Sequence, residues 1–149
     1  MNSETNAAKT NLKQLIGQLI HTYQPVAVQQ HSFFINKIST GLYTGVDPDT
    51  LSAMLASLLY IIARCSRESC IHIDAIPHGN TMKLSLRDNN AVNNYAVLYE
   101  FQHLKMLAQG LNGFLNIDNL RNKETVISFS FDNRYEHTET GMLRELKRA

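Results

Sequence analysis

A chain of 149 residues, 44% hydrophobic and 18% charged, is long enough to bury a core and too apolar to remain disordered. Its formal net charge of +1 comes without a basic block, which argues against a nucleic-acid or anionic-lipid surface. The longest apolar run, around residues 54–63, is far too short to span a bilayer, and the polar N-terminus MNSETNAAKT lacks the character of a secretory signal, so a cytoplasmic protein is expected.

Residues 1–11 read as a polar arm, 12–132 as one domain, and 133–149 as a polar tail in which Leu143 and Leu146 suit a short terminal helix. Within the domain, Leu12, Leu15, Ile16, Leu19, Ile20 and Tyr23 recur at helical spacing. Val26 and Val28 would extend that helix past Pro25, whose ring should bend or interrupt it. Residues 31–39 read as a strand with Phe34 and Ile38 on one face and Phe33 and Ile35 on the other, and Gly41 and Gly45 bracket a turn. Asp47 and Pro48 then open a helix: the carboxylate accepts from an orphan N–H, and Pro sits where no N–H is missed. Leu51, Met54, Leu55, Leu58, Leu59 and Ile62 form its buried stripe, with Ser57 and Ile61 one turn apart on the adjoining flank.

Ile71, Ile73 and Ala75 alternate with His72 and Asp74, and Met82, Leu84 and Leu86 alternate after the turn Pro77-His78-Gly79-Asn80, which predicts an antiparallel hairpin. Asp88-Asn89-Asn90 ends it in turn-forming residues. A third helix follows a brief connection, with Val97, Leu98, Phe101, Leu104 and Leu107 as its apolar positions. Gly113 opens a strand over 114–118, residues 119–123 make a turn, and 125–131 form the last strand. This order predicts an α/β two-layer sandwich, a mixed and mostly antiparallel sheet with three helices on one face.

Few residues stand at catalytic or metal-binding spacing. Cys65, Cys70, His72 and His78 follow a Cys-x4-Cys-x-His-x5-His order that matches no common zinc motif, and two reduced thiols are the plainer reading. His31, His103 and His137 have no partner at catalytic spacing. There is no Gly-x-Ser-x-Gly, Walker loop or His-Glu-x-x-His. Tyr95 and Tyr99, with Leu98 between, make either an exposed aromatic patch or ordinary helix-cover packing.

Several stretches resemble the ATP-binding domain of sensor histidine kinases and its relatives in the gyrase–chaperone–kinase ATPase superfamily, the Bergerat fold. LKQLIGQLIHTYQPVAVQQHSFFIN is similar to the entry into that domain. DPDTLSAMLASLLYIIARCS resembles its helix D-x-x-x-L-x-x-x-L-x-N-L-x-x-N-A, and MKLSLRDNN the strand that delivers the D-x-G-x-G loop. FQHLKMLAQGLNGFLNIDN resembles the helix and strand of the A-x-x-x-G-G ending, and KETVISFSF the final strand. His21, in HTYQP, is only faintly like a phosphoacceptor His-x-x-x-x-Pro, because Pro25 arrives one residue early.

The resemblance implies where nucleotide-handling residues would stand. The two family asparagines, the second a Mg²⁺ ligand, match Ser57 and Ile61, and an Ile side chain supplies no oxygen to magnesium. Asp88 matches the adenine-binding aspartate, while the loop glycines match Asn90 and Val92. Asn90 can adopt positive φ, but Val92 resists close approach to a ligand. The phosphate-contacting glycines match Leu98 and Glu100, a carboxylate where a triphosphate would lie, and the long lid is replaced by a few residues. The expectation is a degenerate domain with Asp88, Ser57 and Asn90 as vestiges of a nucleotide site. It would need no metal or cofactor and would act as a regulatory module bound to a kinase, a receiver domain or a transcription regulator, without nucleic acid or membrane insertion. The alternative is an ATP-binding kinase of the sensor or anti-sigma-factor type with an unorthodox site, using ATP and Mg²⁺. Whether the chain stands alone or belongs to a longer kinase stays open.

Overall fold

The computed structural model describes residues 10–90, 99–120 and 124–133. In chain order these form β1 (Thr10–Asn11), α1 (Leu12–Gln29), β2 (Phe33–Asn36), β3 (Tyr43–Thr44), α2 (Pro48–Cys65), β4 (Cys70–His78), β5 (Thr81–Asp88), α3 (Tyr99–Gly110), β6 (Phe114–Leu120) and β7 (Glu124–Asp132). Five strands join in the order β2-β4-β5-β7-β6. Only β2–β4 is parallel, and α2 lies in the crossover that a parallel pair requires. The three helices bury their stripes on one face of this sheet, the predicted two-layer sandwich. No helix among the described residues is long and apolar enough to cross a membrane.

α2 begins as its first residues dictate. The Asp47 carboxylate accepts from the Thr50 N–H at 2.9 Å and from the Thr50 hydroxyl at 2.8 Å, and Pro48 follows at the helix start. Leu51, Met54, Leu55, Leu58, Leu59 and Ile62 are all buried, and they meet Ile71, Ile73, Leu84, Leu86, Ile127 and Phe129 from the sheet. The β4–β5 hairpin turns through Gly79-Asn80, with Gly79 at φ +63°, where an L residue would be strained.

α1 extends past Pro25 through Val26 and Val28, as their spacing suggested, and Pro25 does not interrupt it. Pro25 and His21, four residues earlier, are both exposed, so the carbonyl that loses its helical donor faces water. The strand expected over 31–39 pairs only at Phe33–Asn36, although Phe34 and Ile38 are buried and Phe33 and Ile35 exposed as the alternation required. Thr10 and Asn11, assigned to the arm, pair with Thr44 and Tyr43. Asn11 also caps α1 by accepting from the Gln14 N–H at 3.0 Å. β6 continues to Leu120, into the stretch read as a turn. In α3 the buried residues are Phe101, Leu104 and Ala108, whereas Leu107 is exposed: the helix meets the sheet about one position away from the expected phase.

The outer edge of β2 is guarded. The Gln24 carboxamide accepts from the Phe34 N–H at 2.8 Å and donates to the Phe34 carbonyl at 3.3 Å, taking the place of a neighbouring strand. Gln24→Ala should lower stability by about 1–2 kcal/mol in denaturant melts. It should also increase concentration-dependent association in sedimentation, and unchanged association would show that the edge needs no guard.

Asp47 gives a pH prediction. Its carboxyl is held below its ordinary value of 3.8, first by the Thr50 backbone bond and then by the Thr50 hydroxyl. The capping contribution is therefore complete above pH 3.8 and is lost as pH falls through the lower folded value. Melting temperature followed through the acid range should show this component in the native protein and lack it in Asp47→Asn.

Candidate functional site

The buried stripe of α2 forces its adjoining flank to face α3. Between them lies an open groove of about 490 Å³, lined by Ser57, Tyr60, Ile61 and Arg64 from α2 and by Tyr99, Glu100, His103 and Leu104 from α3. Ser57 is exposed on its wall. Ile61, 5% exposed, is nearly flush with the core, and Ile62 beside it is fully buried. Of the two positions where the resemblance places asparagine oxygens, Ser57 keeps a hydroxyl at the groove wall, whereas Ile61 has no atom that ligates a cation.

Across the groove, Arg64 Nη2 lies 3.2 Å from Glu100 Oε2. The side chains are 40% and 49% exposed, so the pair contributes only some tenths of a kcal/mol, ~0.2–1. Arg64 also sits 5.5 Å above the Tyr60 ring, and Tyr60 contacts Tyr23 of α1 at 5.9 Å between centroids. A chain of contacts therefore runs from α1 through α2 to α3. The cation that could meet a ligand anion here already has a carboxylate partner on the opposite wall.

Asp88 ends β5 on the helix-facing side of the sheet, between Ile71 and Thr125 in register, and is 1% exposed. It does not line the groove. Its Oδ1 accepts from the Asn90 N–H at 3.0 Å, closing a turn. Asn90 does not use the positive φ open to it: among the described non-glycine residues only His31, Glu68 and Asn112 have one. Its side-chain amide instead donates to the Arg67 carbonyl at 2.7 Å, and Asn89 accepts from the Cys70 N–H at 3.1 Å. These bonds tie the end of β5 to the joint between α2 and β4. Buried Ser32, Ser66 and Ser69 reinforce the joint: Ser32 Oγ and Ser66 Oγ lie 3.2 Å apart, and the Ser69 N–H donates to Ser32 Oγ at 3.1 Å.

Of the expected site residues, the structure brings Ser57, Ile61 and Glu100 to one groove and holds Asp88 and Asn90 in the turn beside the α2–β4 joint. Val92, Leu98 and Tyr95 lie outside the described residues. Tyr99 is 85% exposed, which settles it as surface rather than helix cover. Thr125, fully buried beside Asp88, carries no sequence signal beyond the start of a strand, and Tyr60, Arg64 and His103 belong to no motif. Cys65 and Cys70 are free, and burial pushes the Cys65 thiol up, partly offset by the Arg64 charge. Among the described residues no three His, Cys, Asp or Glu side chains gather to hold a metal. His21 is exposed on α1.

No protein-family model matches the sequence, and no curated protein matches it. Solved structures match by fold. The histidine kinase AdeS of Acinetobacter baumannii superposes with a TM-score of 0.70 at 12% identity, over 85% of this chain and 66% of that one. The catalytic domain of histidine kinase ThkA gives 0.70 at 13% identity, over 86% and 97%. A histidine kinase from Burkholderia phymatum gives 0.68 at 13%, over 89% and 75%. The chain thus spans nearly all of the ThkA catalytic domain and slightly under two-thirds of the AdeS structure. Identity this low carries architecture alone: the chain has the fold of the histidine-kinase catalytic domain, the Bergerat fold.

Proposed function

We propose that this chain is a catalytically silent relative of histidine-kinase ATP-binding domains, working as a regulatory, protein-binding module in two-component-like signalling in the cytoplasm. The observation that carries this reading is the donor set of the α2–α3 groove. Magnesium and a triphosphate require hard oxygen ligands, backbone N–H groups reached through glycine and uncommitted cations. At the position of the metal-ligating asparagine the groove presents Ile61, its remaining lining joins Leu104 and two tyrosines to Ser57 and His103, and Arg64 is paired to Glu100. An isoleucine in place of the metal ligand supports a site that works without Mg·ATP.

What the groove suits is a protein. Tyr60 and Tyr99 are exposed in it, and Leu107 and Met106 are exposed farther along α3. Apolar surface of this kind between two helices takes the apolar side of a partner helix. A kinase, a receiver domain or a transcription regulator is the class of partner proposed. Tyr99→Ala, at an exposed position, should change stability by no more than about 0.5 kcal/mol. It should weaken capture of such a partner by about tenfold or more in a binding titration. Unchanged affinity would remove the groove from the interface.

A second reading keeps ATP binding, in a kinase of the sensor or anti-sigma-factor type, and one observation favours it: Asp88 is retained, buried and held by its own turn. Thermal melting with adenine nucleotide and Mg²⁺ separates the two. A ligand at 100 times its Kd adds about 2.7 kcal/mol. The silent-module reading expects no shift up to millimolar nucleotide, whereas a Mg-dependent shift that Asp88→Asn abolishes would establish the alternative.

A further inference from the structure

We propose that Asn112–Gly113 is a site of spontaneous deamidation, and that the C-terminal cap of α3 gates the reaction. The fold demands glycine at 113 and a residue that tolerates left-handed backbone at 112. Asn112 lies at φ +52°, in the left-handed region that Gly, Asn and Asp tolerate. A Cβ on Gly113 would lie 2.8 Å from the Ser130 carbonyl oxygen and 2.9 Å from Phe129 Cε1, so the next residue must be glycine. The pair is the only Asn-Gly in the sequence, and glycine is the successor that least obstructs attack on an asparagine side chain.

The chemistry needs only water and hydroxide. Hydroxide takes the Gly113 N–H proton, and that nitrogen attacks Asn112 Cγ. The new N–Cγ bond forms, Nδ2 takes a proton from water as the Cγ–Nδ2 bond breaks, ammonia leaves with hydroxide regenerated, and a succinimide remains. Water then opens the ring at Cγ to give aspartate, or at the main-chain carbonyl to give isoaspartate. Nothing is oxidised or reduced.

The native structure withholds the nucleophile. The Gly113 N–H donates to the Ala108 carbonyl at 2.8 Å and the Asn112 N–H to the Gln109 carbonyl at 3.0 Å, the two bonds of a Schellman cap. The reaction therefore runs in the population whose last turn has opened. Its products weaken the cap that restrained it. Either carboxylate meets the negative end of the α3 dipole, and isoaspartate lengthens the main chain between the two capping bonds. The groove wall, residues 99–104, lies at the other end of α3, so ageing at residue 112 loosens the last turn of the helix rather than that wall.

The test holds the intact protein at mildly alkaline pH, natively and in denaturant. Conversion at residue 112 is read by peptide mass spectrometry and by isoaspartate-specific methyl transfer. The expected result is accumulation of both products in denaturant, slower by roughly tenfold or more in the native protein because only the opened fraction reacts. Asn112→Gly keeps the left-handed backbone, should melt close to the native protein and should show no conversion. Equal rates in the two conditions would overturn the gating, and no conversion in denaturant would overturn the site.

Discussion

The structure depends on the burial of α2. Six apolar residues at helical spacing have only one place to go, the sheet face built by β4, β5 and β7, and they are completely or almost completely excluded from water there. Burying a Leu or Ile side chain contributes roughly 1.5–3 kcal/mol, so the stripe outweighs every polar contact described above. Once it is seated, the rotation of α2 is set, and so is the side that faces α3. Ser57, Tyr60, Ile61 and Arg64 become groove residues because Leu51, Leu55, Leu58 and Ile62 are core residues.

The polar interactions do different work. Gln24 completes the edge of β2, Asp47 starts α2, and the serines with Asn89 and Asn90 close the joint where α2, β4 and the end of β5 meet. The serine bonds satisfy groups in the interior, and the Asp47, Asn89 and Asn90 bonds cap backbone groups at the surface. The asparagines of the turn after Asp88 act in this way as structural ties. Glu100, expected to oppose a triphosphate by charge, is the partner of Arg64. Asn90, expected as a vestige of a nucleotide site, and Glu100, expected as a departure from one, thus both hold structural contacts in this protein.

Regular elements were legible where a period extends over several residues. The α2 stripe, the β4–β5 hairpin and the Asp47-Pro48 start follow from spacing and from single-residue chemistry. β1 and β3 were not legible, because two-residue strands carry no period. The phase of α3 is not legible from residue size: Leu107 is the larger residue and stands exposed, while Ala108 is the one buried. At the site, the positions of Ser57 and Ile61 on a flank came from the helical repeat. The Arg64–Glu100 contact joins polar residues 36 apart, and no local pattern signals it. Thr125 looked like an ordinary strand residue and was found beside Asp88 only through strand register.

The central claim is that the α2–α3 groove has exchanged nucleotide for protein. Its most direct test is an amide NMR titration of the isotope-labelled protein, first with Mg·ATP and then with the receiver domain or kinase of the same signalling system. The account predicts that Mg·ATP leaves the signals of Ser57, Tyr60, Ile61 and Glu100 in place and that the protein partner moves them to saturation. Saturable movement of these signals by Mg·ATP, with none on adding the partner, would contradict it.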